Sequence, residues 1–457
     1  MAAFVVTVLA GCSSEELGSS EKPAGTEADG NTIVLGVKEV RSAVTRSQHT
    51  GSMDFTQLKS TGFGVYGYKG TYNSSTSEPT LFATGANTKV TFETGGTDPT
   101  TALVHPGSWK YAETAANQKE WVTTDKYTFF AYAPYMSAGE GTRGTDAGIN
   151  TISTGNGDPT IGYTVAEDPA QSVDLLWGVR SDDGTANTSS VNNGKPWLNC
   201  MQTETASTVL FTFCHALCAV GFHAQVMADQ TNDTDNLGDV STLGTIGSAD
   251  GCKVTLKSIM LTPAGFPDKD PVVAATPFHE SAVLNLNNTT KFQPNWGGYS
   301  GTIASLALDG GEIDTKLLDP DPSDFGEMNP GNTTFMTDDA VPGITETANS
   351  QAVIAGDNVF MLIPQAAQDY TVSIDYFITY KTASGYHREA KTGTATLSNI
   401  ELMAGVKYYF NLVFGLTTFK VSVDAVDWEE STNPVTITTE NGTSANQSLV
   451  RKFSSEK

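Results

Sequence analysis

Four side chains able to bind a metal crowd into one short segment: Cys214, His215, Cys218 and His223. Thiolate and imidazole in that number suit a tetrahedral zinc site. The surrounding residues read as β-strand, however, and on a strand His215 faces away from Cys214 and Cys218, so the set does not converge. All four are better accounted for as buried residues of a sheet. Two acidic groups raise calcium instead: Asp319, Asp321, Ser323, Asp324 and Glu327, and then Asp229, Asp233, Asp235 and Asp239. The first fails as an EF-hand, because its sixth position is Asp324 rather than glycine and its twelfth is Pro330 rather than glutamate. The second reads as a solvated loop. No nucleophile elbow, phosphate-binding loop, dinucleotide fingerprint or His-Glu-x-x-His motif is present. Nothing marks a carboxylate pair for glycoside hydrolysis. No enzyme, metal site or cofactor is therefore expected. Trp109, Trp121, Trp177, Trp197 and Trp296 would form a sugar-stacking platform if several were exposed, and core or interface anchors if not.

Composition narrows the partners. The 457 residues carry 26 Lys and Arg against 51 Asp and Glu, a net charge of −25, which repels nucleic acid and anionic lipid headgroups. Only 17% of residues are charged, while Gly, Ser, Thr and Asn abound, so short strands and turns are expected rather than long helices. The length predicts two domains. Beyond Cys12 there are Cys200, Cys214, Cys218 and Cys252. Cys214 and Cys218 would stand about 13 Å apart on one strand, too far to bridge. Past the N-terminus no apolar run is long enough for a membrane span.

The elements that must position any site are strands. Residues 13–31 are Ser, Glu, Gly, Ala and Pro with little to bury, a flexible tether. An isolated strand candidate follows at residues 32–40, whose Ile33, Leu35 and Val37 share one face by period-2 alternation. Residues 62–68 place large side chains among glycines, and residues 89–92 and 127–133 also read as strands, the last stopped by Pro134. A boundary falls near Ala206. Residues 209–226 form the longest β-rich stretch, with Phe211, Phe213, His215 and Leu217 on one face. Residues 253–261 are expected to pair with it. Strands return at residues 353–363, 370–381 and 406–413. The fold class is all-β, two antiparallel β-sandwich domains in series with little helix.

At the N-terminus an apolar run, residues 2–9, ends in Leu9-Ala10-Gly11-Cys12 and is followed by Ser13-Ser14-Glu15-Glu16. This resembles the lipobox of bacterial lipoproteins, in which the cysteine becomes the acylated first residue. The acidic pair resembles the export signal that sends Bacteroidetes lipoproteins to the outer face of the outer membrane. No Lys or Arg precedes the run, so the natural start is expected further upstream.

The run Leu402-Met403-Ala404-Gly405-Val406-Lys407-Tyr408-Tyr409-Phe410-Asn411-Leu412-Val413, closing on Val426-Asp427-Trp428-Glu429, resembles the last strands of the fimbrillin family, the type V pilins of Bacteroidetes. Phe63-Gly64-Val65-Tyr66-Gly67-Tyr68, Lys126-Tyr127-Thr128-Phe129-Phe130-Ala131-Tyr132-Ala133-Pro134 and Phe213-Cys214-His215-Ala216-Leu217 fit the same family in order and spacing. The resemblance implies transthyretin-like sandwiches and a role in assembly. In that family an arginine-specific surface protease removes the leader with the first strand, and a strand from the next subunit fills the gap. Carried onto this chain, the parts are a signal peptide (1–11), a lipidated tether with the removable strand (12–46), two domains (47–205 and 206–430) and a tail (431–457). Ile33, Leu35 and Val37 would be the removed buried face. Arg46 is the preferred cleavage site and Arg41 the second, since both lie in a polar setting before any other arginine. Donor candidates in the tail are Val435 and Ile437, then Leu449 and Val450. A disordered terminus is the plain alternative for that tail, and a tip or anchor subunit retaining its lipid is another.

The expected partners are other fimbrial subunits (copies of itself or minor subunits), the protease, the acylation and export machinery, and a host or glycan receptor, with no nucleic acid. The expected location is the outer membrane for the precursor and the fimbrium for the mature form. The competing reading is a surface glycan-binding lipoprotein of a nutrient-uptake system, which shares the lipobox, tether and sandwiches.

Overall fold

The computed structural model describes residues 31–40, 53–74, 80–82, 87–97, 104–105, 107–111, 118–137, 147–153, 157–180, 194–205, 208–226, 253–309, 351–354, 359–382, 385–414, 419–427 and 435–437. The chain begins with β1 (Val34–Val40), β2 (Phe63–Lys69), β3 (Asn87–Glu93), β4 (Gly96–Thr97), β5 (Val104–His105) and β6 (Ser108–Lys110). Next come β7 (Tyr127–Ala133), β8 (Gly148–Ile152), β9 (Thr160–Thr164), β10 (Leu176–Arg180), β11 (Trp197–Cys200) and β12 (Thr208–His215). β13 (Cys218–Val226), β14 (Lys253–Gly265), β15 (Phe278–Asn285), β16 (Asn295–Ile303) and β17 (Leu306–Asp309) follow. The chain continues through β18 (Gln351–Ile354), β19 (Phe360–Leu362), β20 (Gln365–Thr382) and β21 (Gly385–Leu402). β22 (Val406–Phe414), β23 (Phe419–Asp427) and β24 (Val435–Ile437) close it. Among the described residues the α-helices are short, α1 (Phe55–Thr61) and α2 (Gln202–Thr205), and none is long and apolar enough to cross a membrane. The fold is all-β.

The first sheet runs β1-β12-β10-β7-β2-β3-β6, with β11 beside β7. It curls until β1 lies next to β6, so its two ends nearly meet. The inner face carries Phe63, Val65, Phe129, Ala131, Phe211 and Phe213, all buried in one apolar core. Each of the Phe and Val side chains among them contributes about 1.5–3 kcal/mol by leaving water. α1 covers this core with Leu58. Its start is a capping box in which Asp54 accepts from the Gln57 amide and Gln57 accepts from the Asp54 amide. That Asp-x-x-Gln signal stands in the sequence, although no helix is expected there. Gly62, at φ +73°, ends the helix and turns the chain into β2.

Alternation sends Tyr66, Phe130, Tyr132, Trp177 and Val179 to the outer face of the sheet. There they pack with Ile161, Tyr163, Ala282 and Leu284 of a second sheet, β16-β15-β9-β8. Gly64 in β2 makes room for a neighbour, because a Cβ there would fall inside the Tyr132 ring. This is the physical reason for large residues among glycines in residues 62–68. The last part of the chain is a sandwich of the sheet β18-β13-β22-β23-β24, with β19 beside β13, and the sheet β17-β14-β20-β21. Phe222, Tyr408, Phe410 and Val423 of one sheet share a core with Ile259, Tyr370, Val372 and Leu397 of the other.

Three expectations need correction. Residues 209–226 are two strands, broken after His215, and β12 and β13 belong to different sheets. Leu217 consequently joins a different core from Phe211 and Phe213. β14 does not pair with either strand; it pairs with β17 and β20 in the opposing layer. Pairing is not wholly antiparallel, since β1 runs parallel to β12 and β13 runs parallel to β22. Parallel neighbours need a long crossover, and both pairs join segments far apart in the chain, so nothing local announces them.

Candidate functional site

β1 is the one sequence-predicted element whose position can do something. Ile33 and Leu35 are each 1% exposed and lie in the core with Phe63, Trp121, Val209, Phe211 and Phe213, while Val37 is half-buried against it. The predicted alternation therefore holds. The strand is seated between two walls. On one side it follows β12 in parallel register, from Val34 opposite Thr208 to Val40 opposite Phe213, with a bulge between Val37 and Glu39.

The other wall grips the strand's start. The Ile33 amide donates to the Lys119 carbonyl (2.8 Å), and the Trp121 amide donates to the Asn31 carbonyl (2.6 Å), around an antiparallel bridge of Thr32 with Glu120. The Tyr111 hydroxyl donates to the Ile33 carbonyl at 3.1 Å and accepts from the Lys119 amide at 2.8 Å. Burial pushes the Tyr111 hydroxyl pKa up, so it remains a donor at neutral pH. Removing β1 would thus open a slot between β12 and the wall formed by Tyr111 and Lys119–Trp121. Sequence reasoning missed this second wall, and nothing around Tyr111 in the sequence marks it.

The chain beyond β1 is also anchored. The Met53 amide donates to Asp174 Oδ2 (2.8 Å), which stands 2.7 Å from His215 Nδ1, with both side chains almost wholly buried. A buried carboxylate thus fixes Met53 beside the end of β12. The zinc constellation does not assemble: Cys214 and Cys218 lie on different strands, His215 faces Asp174, and the described residues hold no group of three or more metal-ligating side chains. The His223 side chain and both acidic groups lie outside the described residues. Cys200, Cys214 and Cys218 are buried; the Cys200 and Cys218 thiols donate to the Tyr127 and Leu362 carbonyls, and burial raises the Cys218 pKa. The tryptophan platform is core instead: Trp121, Trp177 and Trp197 are buried, and Trp296 donates to the Ala216 carbonyl at the β12–β13 junction.

Cys12, Arg41, Arg46, Leu449 and Val450 lie outside the described residues. Arg180, by contrast, is buried in β10 over the Trp197 ring. Of the donor candidates, Val435 and Ile437 fall in β24, antiparallel to β23 of their own chain, with Val423 opposite Ile437.

A curled sheet whose first strand comes round to β6, followed by a sandwich, makes an all-β architecture. A solved structure that shares this fold is a fimbrial protein from Bacteroides vulgatus, with a TM-score of 0.53 at 20% identity over 87% of this chain and 99% of that one. A candidate cell-adhesion protein from Bacteroides uniformis aligns over 88% of this chain and 100% of its own at TM-score 0.37 and 14% identity. A tip fimbrial protein from Porphyromonas gingivalis aligns over 87% and 99% at 0.26 and 7%, and neither of these two scores carries weight. No protein-family model and no curated protein matches the chain. The fold agrees with the one that the fimbrillin resemblance implied.

Proposed function

We propose that this chain is a structural and adhesive subunit of a surface fimbrium. It is made as a lipoprotein acylated on Cys12, held at the outer membrane, and matured by an arginine-specific protease that cuts after Arg46 or, second, after Arg41. Cleavage separates β1 from the body, and a strand from another subunit takes its slot. The observation that carries this reading is the placement of Ile33 and Leu35: a core strand joined to the body through residues 41–52, which hold both arginines. Main-chain hydrogen bonds would supply affinity and alternate side chains register. Val435 and Ile437 repeat the spacing of Ile33 and Leu35, which makes β24 of a neighbouring copy the favoured donor over Leu449 and Val450. Donation requires β24 to leave β23, a pairing of three residues. Further partners are the acylation and export machinery and a host or glycan receptor.

Mass spectrometry of the mature N-terminus on surface material tests the reading. A species beginning at Ser47 or Ser42 supports it, and the Arg41→Ala/Arg46→Ala double variant is expected to lose any SDS-resistant ladder. A ladder that persists in the double variant defeats the cleavage step. One observation favours the glycan-binding alternative: Tyr299, 49% exposed, stacks on His279 with ring centres 4.2 Å apart. Retained acylated Cys12 with glycan binding lost in Tyr299→Ala would select it.

A further inference from the structure

The slot holds β1 by more than sheet pairing. Its second wall is a short run of backbone at Lys119 and Trp121 together with one side-chain donor, the Tyr111 hydroxyl. That donor is fixed before any strand arrives. The Lys119 amide donates to the same oxygen (2.8 Å), and the Tyr111 ring packs edge-to-face on Phe82 at 5.3 Å; neither contact involves β1. The hydroxyl proton is left pointing at the place where a strand carbonyl must come, at the level of Ile33. A preset donor costs little ordering on binding and discriminates by position.

We propose that Tyr111 is the positioning residue of the strand slot: its hydroxyl reads the start and direction of whichever strand fills it. The occupant is β1 in the precursor and the β24 segment of a second copy in the assembly, so the inference rests on strand exchange as proposed above. Because β12 pairs with β1 in parallel, an entering strand runs as β12 runs. Its first residues meet the Lys119–Trp121 wall antiparallel, and its later residues meet β12. A strand entering in the opposite direction presents no carbonyl to Tyr111 in that register.

The test uses the full chain carrying Cys12→Ser, cut with an arginine-specific protease and diluted until the cut strand has left the slot, with a labelled synthetic peptide of residues 31–40 as the incoming strand. Tyr111→Phe keeps the ring on Phe82 and removes the donor. It is expected to weaken peptide binding about fivefold, the worth of one net hydrogen bond. The same peptide with an ester in place of the Ile33–Val34 amide has a poorer acceptor at Ile33, and with it the Tyr111→Phe loss is expected to fall below about twofold. A general weakening of the fold would lower both peptides alike. Equal losses, or no loss with either peptide, overturn the role of Tyr111 while leaving strand exchange standing. Failure of the unsubstituted slot to take up the peptide overturns both.

Discussion

Leu35→Ala is the sharpest perturbation of the slot. Leu35 is 1% exposed and shares its core with Phe63, Phe211 and Phe213. Truncating such a leucine costs about 2–5 kcal/mol, because the transfer term and the remaining cavity both count. At about 3 kcal/mol and roughly 1.4 kcal/mol per decade, the strand should be held about a hundredfold less tightly once cut. Val34→Ala is the internal control: Val34 lies between two core positions, is half-buried and belongs to neither core, so its loss should stay within about tenfold. The assay is the Cys12→Ser chain nicked by an arginine-specific protease, with size exclusion and mass spectrometry following departure of the fragment that contains residues 31–40. Retention of the Leu35→Ala fragment within threefold of the parent would refute the view that β1 is a core strand. Equal losses for Val34→Ala and Leu35→Ala would refute the alternation on which the slot depends.

Two other outcomes follow from buried polar groups. Asp174→Ala strands the Met53 amide and removes the carboxylate beside His215, and should lower stability by about 1–3 kcal/mol in urea unfolding; a cost below about 0.5 kcal/mol would remove Asp174 as an anchor of Met53. Burial raises the hydroxyl pKa of Tyr66, Tyr132, Tyr370 and Tyr408 above the unfolded value near 10, so their contribution is complete below about pH 10 and is lost as pH rises beyond it. Beyond the share that exposed tyrosines such as Tyr299 contribute with the fold intact, tyrosinate absorbance from the buried set should therefore appear in one cooperative step together with loss of the β-sheet circular dichroism signal. Gradual titration near pH 10 with the sheet signal intact would contradict that burial.

What the sequence made legible was local. Ile33, Leu35 and Val37 announce β1 because a strand with one buried face must alternate. Phe63 to Tyr68 and Tyr127 to Ala133 announce β2 and β7 because aromatic and β-branched residues fill pleated surfaces, and Pro134 marks the second stop. What was not legible is pairing across the chain. β1 and β12 are parallel neighbours from segments far apart in the chain, and nothing in Thr208 to His215 names its partner. The break after His215 was hidden for a related reason. Ala216 and Leu217 are apolar and continue the pattern, yet they are held as a crossing between sheets by Leu175, Gly405 and Trp296. Tyr111 and Asp174 gain their roles from contacts with Ile33 and Met53 that no spacing encodes.

The geometry also limits how tightly the slot should bind. While residues 41–52 are intact, β1 is tethered to its own slot, and a covalent link of that length supplies an effective concentration of order millimolar. Under the proposed cleavage the strand would compete as a free peptide at its actual, far lower, concentration. A slot with a dissociation constant well below a millimolar but above the local peptide concentration is filled in the precursor and empties once cut, with no conformational switch. Tighter binding would keep the cut strand in place and block exchange, whereas weaker binding would leave the precursor's core open. Full burial of Ile33 and Leu35, with Val37 and Val40 only partly buried and a bulge at Val37/Glu39, suits that intermediate range better than a fully buried strand would. On this account, adding apolar contact at Val37 should slow assembly even as it stabilises the precursor.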